Sequence, residues 1–237
     1  PPEKDTYTPK PKFMYENNKW IKLKKIKKIP KDYIKFYKNK MSIWQYEKFS
    51  EYFNMNIRTE KEIKDKKNIS FDRQPLQISN IVFPSYEDTI IIEGYNGLQP
   101  IGEISKKGFN ASFNYNNKTN MYSYNNNLDD IDNTGKGFLH KDYIAKYSIK
   151  FSNILKNILE SKGIVFVYSQ FVIHGIKPFA IALEENGFIR CDGNGKTSQI
   201  LNKNLKDDDK FCAINKKYYR DLTPNQKKNF KQAKYIY

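Results

Sequence analysis

The stretch YSIKFSNILKNILESKGIVFVYSQFVIHGIKPFAIALEENGF, residues 147–188, changes its hydrophobic period twice. Ile144, Tyr147, Phe151, Ile154, Leu155, Ile158 and Leu159 recur at steps of three and four, which predicts an amphipathic helix. Gly163 is its expected C-cap. The run Ile164-Val165-Phe166-Val167-Tyr168 is wholly apolar and β-branched or aromatic, the pattern of a strand buried on both faces. Val172, Ile176, Phe179, Ala180 and Leu183 then share one face of a second helix. Pro178 places the start of that helix near Lys177, and Gly187 closes it.

Beyond Gly187 the alternation continues. FIRC and KFCAIN read as strands, and TPNQKKNFKQA as a helix with Thr223 as N-cap and Pro224 at its first position. KYIY reads as a final strand. Residues 140–237 thus run helix, strand, helix, strand, strand, helix, strand, which predicts an α/β lobe with a parallel sheet flanked by helices.

Upstream the text differs. Residues 86–139 are rich in Asn, Tyr and Gly (NYNNKTNMYSYNNN) and read as an insertion with long loops. Residues 1–85 read as a basic α+β region leading into the lobe. Its tail, residues 1–12, is Pro- and Lys-rich, and two strands are expected around the turn Glu16-Asn17-Asn18. Tyr33, Phe36 and Tyr37 form a short helical stripe. In MSIWQYEKFSEYFN, Ser42 and Gln45 have capping-box spacing, and Trp44, Phe49, Tyr52 and Phe53 face a core. Such a stripe suits packing more often than base stacking. Residues 54–74 read as a charged loop.

The chain has 237 residues, enough for one or two domains, and a net charge of +16. Residues 1–40 hold 13 Lys against 4 acids. That excess suits nucleic-acid phosphates first and an anionic membrane second. Lys, Asn, Ile and Tyr are also the residues of AT-rich coding sequence, and a Lys-laden strand suits a sheet edge, so both bland readings stand beside DNA contact. No apolar run has membrane-spanning length, and PPEKDTYTPK is no signal peptide. Without an initiator Met, the chain reads as cut from something longer. Cys191, Cys212, His140 and His174 lack zinc-ligand spacing, so no metal site is expected, and a reducing compartment is the default.

CDGNGKTSQ, residues 191–199, holds the letters Gly195-Lys196-Thr197. A phosphate loop needs a further glycine at position 190, which is Arg190. An exposed turn is expected instead.

The quoted stretch resembles the start of the second RecA-like lobe of superfamily 2 helicases. The likeness is to the Swi/Snf-related, poxvirus-type nucleoside triphosphatases and early-transcription helicases of large cytoplasmic DNA viruses. The resemblance rests on Ser148 and Lys150, Lys162-Gly163, Tyr168-Ser169-Gln170-Phe171, Gly175, and Ala182-Leu183-Glu184 with Gly187. Met41-Ser42-x-x-Gln45, Asn80-x-x-Phe83-Pro84 and FKQAKYIY are weaker echoes.

The resemblance implies a lobe, truncated at its C-terminus, that tracks double-stranded DNA. ATP and magnesium would bind in the complete motor, jointly with a first RecA-like lobe on the same or a separate chain. No complete phosphate loop is present, and neither LDDIDN nor KDDDK follows a buried strand as catalytic acids must. No catalytic residue and no cofactor are therefore expected for this chain alone. The turn after the first strand would place Ser169, Gln170 and His174 near DNA phosphates, with Lys196 and Thr197 in the glycine turn as further contacts. Helix capping is the alternative for Ser169, and a plain surface position for His174. Further partners implied are RNA polymerase or other transcription proteins, in a cytoplasmic viral factory or virion. The alternatives are a non-catalytic, helicase-derived structural subunit of a transcription or virion assembly, and an unrelated basic RNA-binding α/β protein.

Overall fold

A computed structural model describes residues 13–16, 19–22, 39–55, 73–84, 89–91, 98–100, 105–125 and 127–237. They fall into two units, Pro1–Lys38 and Asn39–Tyr237. In the first, β1 (Phe13–Glu16) and β2 (Lys19–Lys22) pair antiparallel, with Glu16 opposite Lys19. This is the expected hairpin. The Pro/Lys tail, the stripe Tyr33, Phe36 and Tyr37, and most of the 54–74 loop lie outside the described residues.

The second unit opens with α1 (Ile43–Met55) and α2 (Arg73–Asn80). The capping box forms: Gln45 N–H donates to Ser42 Oγ at 3.1 Å, and Ser42 N–H reaches Gln45 Oε1 at 3.5 Å. Trp44 is buried and Phe49 packs at the core edge. The side chains of Tyr52 and Phe53 lie outside the described residues.

The Asn-rich segment contributes to the core. After the hairpin β3 (Thr89–Ile91) and β4 (Leu98–Pro100) comes α3 (Ser105–Ser112). A second hairpin follows, β5 (Phe113–Asn116) and β6 (Met121–Tyr124). Phe109, Phe113, Leu128, Phe138 and Leu139 are core residues. Ring contacts run from Trp44 through Tyr147, Phe138, Phe113 and Phe109 to Phe83 at centroid spacings of 5.0–5.9 Å. Asn covers much of the surface of this segment while Phe109, Phe113 and Phe138, each able to bury about 150–250 Å², fill the interior.

The expected amphipathic helix is two helices, α4 (Ile144–Tyr147) and α5 (Ile149–Glu160). Ser148 separates them with extended φ/ψ (−156°, 100°), and its Oγ accepts the Phe151 N–H at 2.9 Å. The C-cap is Ser161 rather than Gly163. A π-turn over Val172–Ile176 feeds α6 (Lys177–Glu185), which starts where Pro178 predicts. Val172 is exposed rather than buried. Gly187 closes α6 at φ +92°, and an added Cβ would collide with Asp209 O and Phe211 N.

A three-stranded sheet completes the unit. Central β7 (Ile189–Cys191) pairs antiparallel with β8 (Thr197–Ser198) and parallel with β9 (Lys234–Tyr235). KFCAIN contributes only the bridges Phe211 to Tyr218 and Cys212 to Gln232. Between them, α7 (Pro224–Lys228) is capped by Thr223 as expected. The architecture is mixed α/β with small sheets, and β7–β9 is the parallel pair among the described strands.

Residues 164–168 do not form the doubly buried strand their composition predicts. Val167 packs toward the core, while Ile164, Phe166 and Tyr168 are 103%, 88% and 80% exposed and Val165 is exposed too. A central strand requires a hydrogen-bonded neighbour on each edge, and among the described residues none pairs with this one.

Candidate nucleic-acid interface

The start of α5 is where distant segments converge. Gln45, almost fully buried, donates from Nε2 to Ile78 O at 2.8 Å and accepts the Ile149 N–H on Oε1 at 3.2 Å. Ser42 Oγ donates to Lys146 O. Ser148 Oγ donates to Asn80 O. The break at Ser148 therefore does two things: it caps α5 and pins α2 against it. Lys150, in the first turn of α5, donates to Asn80 Oδ1 at 2.6 Å and to Ser79 Oγ at 3.4 Å.

Beside this junction lies a groove of about 260 Å³. Leu76, Phe151, Ile154 and Phe179 form its apolar walls; Ser79, Asn80, Lys150, Ser169 and Gln170 bring polar groups. Val167 and Tyr168 from the unpaired run 164–168 complete one side. Among the described residues, Lys150 is the one charged residue on the lining, and no carboxylate joins it. Burial lowers the Lys150 pKa from its ordinary value.

Ser169 and Gln170 both reach this groove. The Ser169 hydroxyl accepts the Phe171 N–H and donates to Phe171 O, each at 3.1 Å, so it shapes the turn as well as lining the groove. It packs so closely on Gly175 that a Cβ there would overlap Ser169 Oγ. Gln170 is exposed.

The structure does not bring the other candidates to this groove. His174 Nε2 is buried without a hydrogen-bond partner, the ring stands edge-on to Phe171 at 6.0 Å, and burial lowers its pKa. The buried Nε2 offers no donor to a phosphate outside. Lys196 and Thr197 lie exposed on the β7–β8 hairpin. There Asp192 Oδ1 accepts the Asn194 and Lys196 N–H groups at 3.0 and 2.7 Å, and Asp192 O accepts the Gly195 N–H at 3.1 Å. The amides a phosphate would need are taken by the carboxylate and carbonyl of Asp192, so CDGNGKTSQ is a hairpin turn, as expected.

Lys150, Asn80 and Ser79 belong to the site and were not among the candidates. Their signal was available in Ser148-x-Lys150 and in Asn80-x-x-Phe83-Pro84, but nothing in the sequence shows that segments about 70 residues apart touch.

A second cavity, of about 340 Å³, is lined by His140, Glu185, Lys203, Tyr218 and Arg220 among others. Most of its charges are paired: Lys203 with Glu185 at 2.8 Å, Arg220 with Asp209 at 3.0 Å, and Lys136 with Asp142 outside the lining at 2.6 Å, while Lys206 and Asp208 add one charge of each sign. That leaves little net attraction for an ionic ligand.

Among the described residues no helix is long and apolar enough to cross a membrane, and no three His, Cys, Asp or Glu side chains group as metal ligands. No family model, no curated protein and no solved structure matches this chain.

Proposed function

We propose that this chain is the second motor lobe of a DNA-dependent ATPase related to superfamily 2 helicases. It contacts the phosphates of double-stranded DNA through the groove at Ser169 and Gln170. One observation carries the reading: these two residues open onto a groove whose sole charged lining residue, among the described residues, is a lysine. Carboxamide and ammonium donors, with no competing carboxylate among the described residues, suit sequence-independent phosphate contact.

The geometry also supports the resemblance. Ser42 and Gln45, Asn80, and Ser148 with Lys150 come from three separate motifs, and they meet in one hydrogen-bonded junction. On this reading the RecA-like sheet is completed by strands beside residues 164–168. ATP and magnesium belong to a site shared with a first lobe. Transcription proteins are further partners, in a cytoplasmic viral factory or virion.

The test is fluorescence anisotropy on a labelled DNA duplex across salt. Binding should weaken steeply, by at least tenfold between about 50 and about 200 mM. Affinity unchanged over that range would refute phosphate contact.

The bare face of Ile164, Phe166 and Tyr168 favours a second reading, a non-catalytic structural subunit docked through that face. Absence of DNA binding, together with protein association that Phe166→Asn abolishes, would establish it.

A further inference from the structure

We infer that Lys150 supplies the charge that seats a nucleic-acid phosphate in the groove, and that Asn80 and Ser79 are its positioning residues. This rests on the nucleic-acid reading above and names the group that does the binding.

An ammonium group has three donors and no acceptor. Asn80 Oδ1 and Ser79 Oγ take two, at 2.6 and 3.4 Å. Both acceptors are neutral, so they orient the group without cancelling its charge. Among the described residues no carboxylate pairs with Lys150. A half-buried cation without a counter-ion is costly unless an anion reaches it.

The contrast with the second cavity is instructive. There Lys203, Lys136 and Arg220 are each matched to a carboxylate. In the groove, Gln170 is an exposed carboxamide whose N–H groups a phosphate oxygen can use, beside the Tyr168 and Ser169 hydroxyls, of which Ser169 already gives its proton to Phe171 O. Asn80 is itself fixed from both sides, since Ser148 Oγ donates to its carbonyl while its side chain holds Lys150. The ammonium is thus preorganised, which reduces the entropy lost on binding. The ligand class is a phosphodiester of a DNA strand laid along the groove.

The experiment uses the whole chain and a labelled DNA duplex of about 20 base pairs. Lys150→Gln should weaken binding about tenfold and lower the slope of log affinity against log salt by about one. Lys156→Gln removes the same charge from an exposed position on the same helix and should leave affinity within about twofold. Asn80→Ala keeps the charge but frees it, so affinity should fall while the slope stays unchanged. Should Lys150→Gln fail to fold, acetylation of the unaltered protein gives the answer: duplex should protect Lys150 and not Lys156, read by mass spectrometry. Equal effects of the two lysine substitutions, or equal acetylation of Lys150 with and without duplex, would overturn the assignment of Lys150 and leave the DNA reading standing. Unaltered protein that does not bind duplex at any salt would overturn both.

Discussion

The hydroxyl of Tyr235 donates to Glu184 Oε1 at 2.7 Å, joining strand β9 to a helix 51 residues earlier. The same carboxylate accepts the Ile200 and Leu201 N–H groups at 2.7–3.0 Å. Its neighbour Glu185 serves other segments, accepting from Gly137 N–H, Tyr124 OH and Lys203 Nζ. Glu184→Ala would leave three donors unsatisfied, two of them backbone amides in the core, and should cost about 3 kcal/mol or more in urea unfolding. Tyr235→Phe removes one bond and should cost about 1 kcal/mol.

Stability should depend on pH in two opposed ways. Burial lowers the His140 pKa to about 4, so the unfolded chain binds a proton first. The stability His140 contributes is complete above its ordinary pKa and is lost as pH falls toward 4. From about pH 7 to about pH 5 the loss is at most about 2 kcal/mol. Burial raises Glu184 and Glu185, so their contribution runs the other way, greatest at low pH and lost as pH rises through the raised values. Unfolding of wild type and His140→Gln at both pH values separates the two: the substituted chain should show the smaller loss at about pH 5.

Two glycines should respond differently to alanine. Gly187→Ala places a Cβ against Asp209 O and 2.6 Å from Phe211 N at positive φ, and should cost about 3 kcal/mol or more. Gly193, in the hairpin turn, meets nothing within 4 Å. Gly193→Ala should stay within about 0.5 kcal/mol, both variants being compared with the unaltered chain by thermal melts. A large loss at Gly193 would mean the turn is more constrained than a surface hairpin.

Phe166→Asn and Ile164→Asn should leave stability within about 0.5 kcal/mol, since neither side chain packs on the core. Both should reduce self-association in sedimentation at high protein concentration, because a bare apolar strand recruits further strands. A melting temperature that drops by several degrees would show the face to be covered.

Some of this was legible from local chemistry. The capping boxes of Ser42 and Thr223, the start of α6 near Lys177 and the hairpin at Glu16 follow from nearby residues alone. The break at Ser148 was not legible, because the hydrophobic spacing runs straight through it. What decides the break is a carbonyl at Asn80, 68 residues away. The core role of residues 105–139 was hidden by Asn, although Phe109, Phe113 and Phe138 were visible in the text. Residues 164–168 have the right composition for a strand, but composition cannot supply a pairing partner. The groove was half legible: Ser169 and Gln170 were found through resemblance, whereas Lys150 needed the contact with Asn80.

The Gln45 clamp has a kinetic corollary. Its bond to Ile149 closes a loop of 104 residues. Contacts this distant slow folding, because the ordering entropy of the loop is lost before the contact forms. During synthesis at about 5–20 residues per second, α1 waits roughly 5–20 s for its partner to leave the ribosome. Trp44 and Phe49 have no completed core to join in that interval. Nascent chains halted before residue 149 should therefore be strong chaperone clients, and those released after α5 much weaker ones.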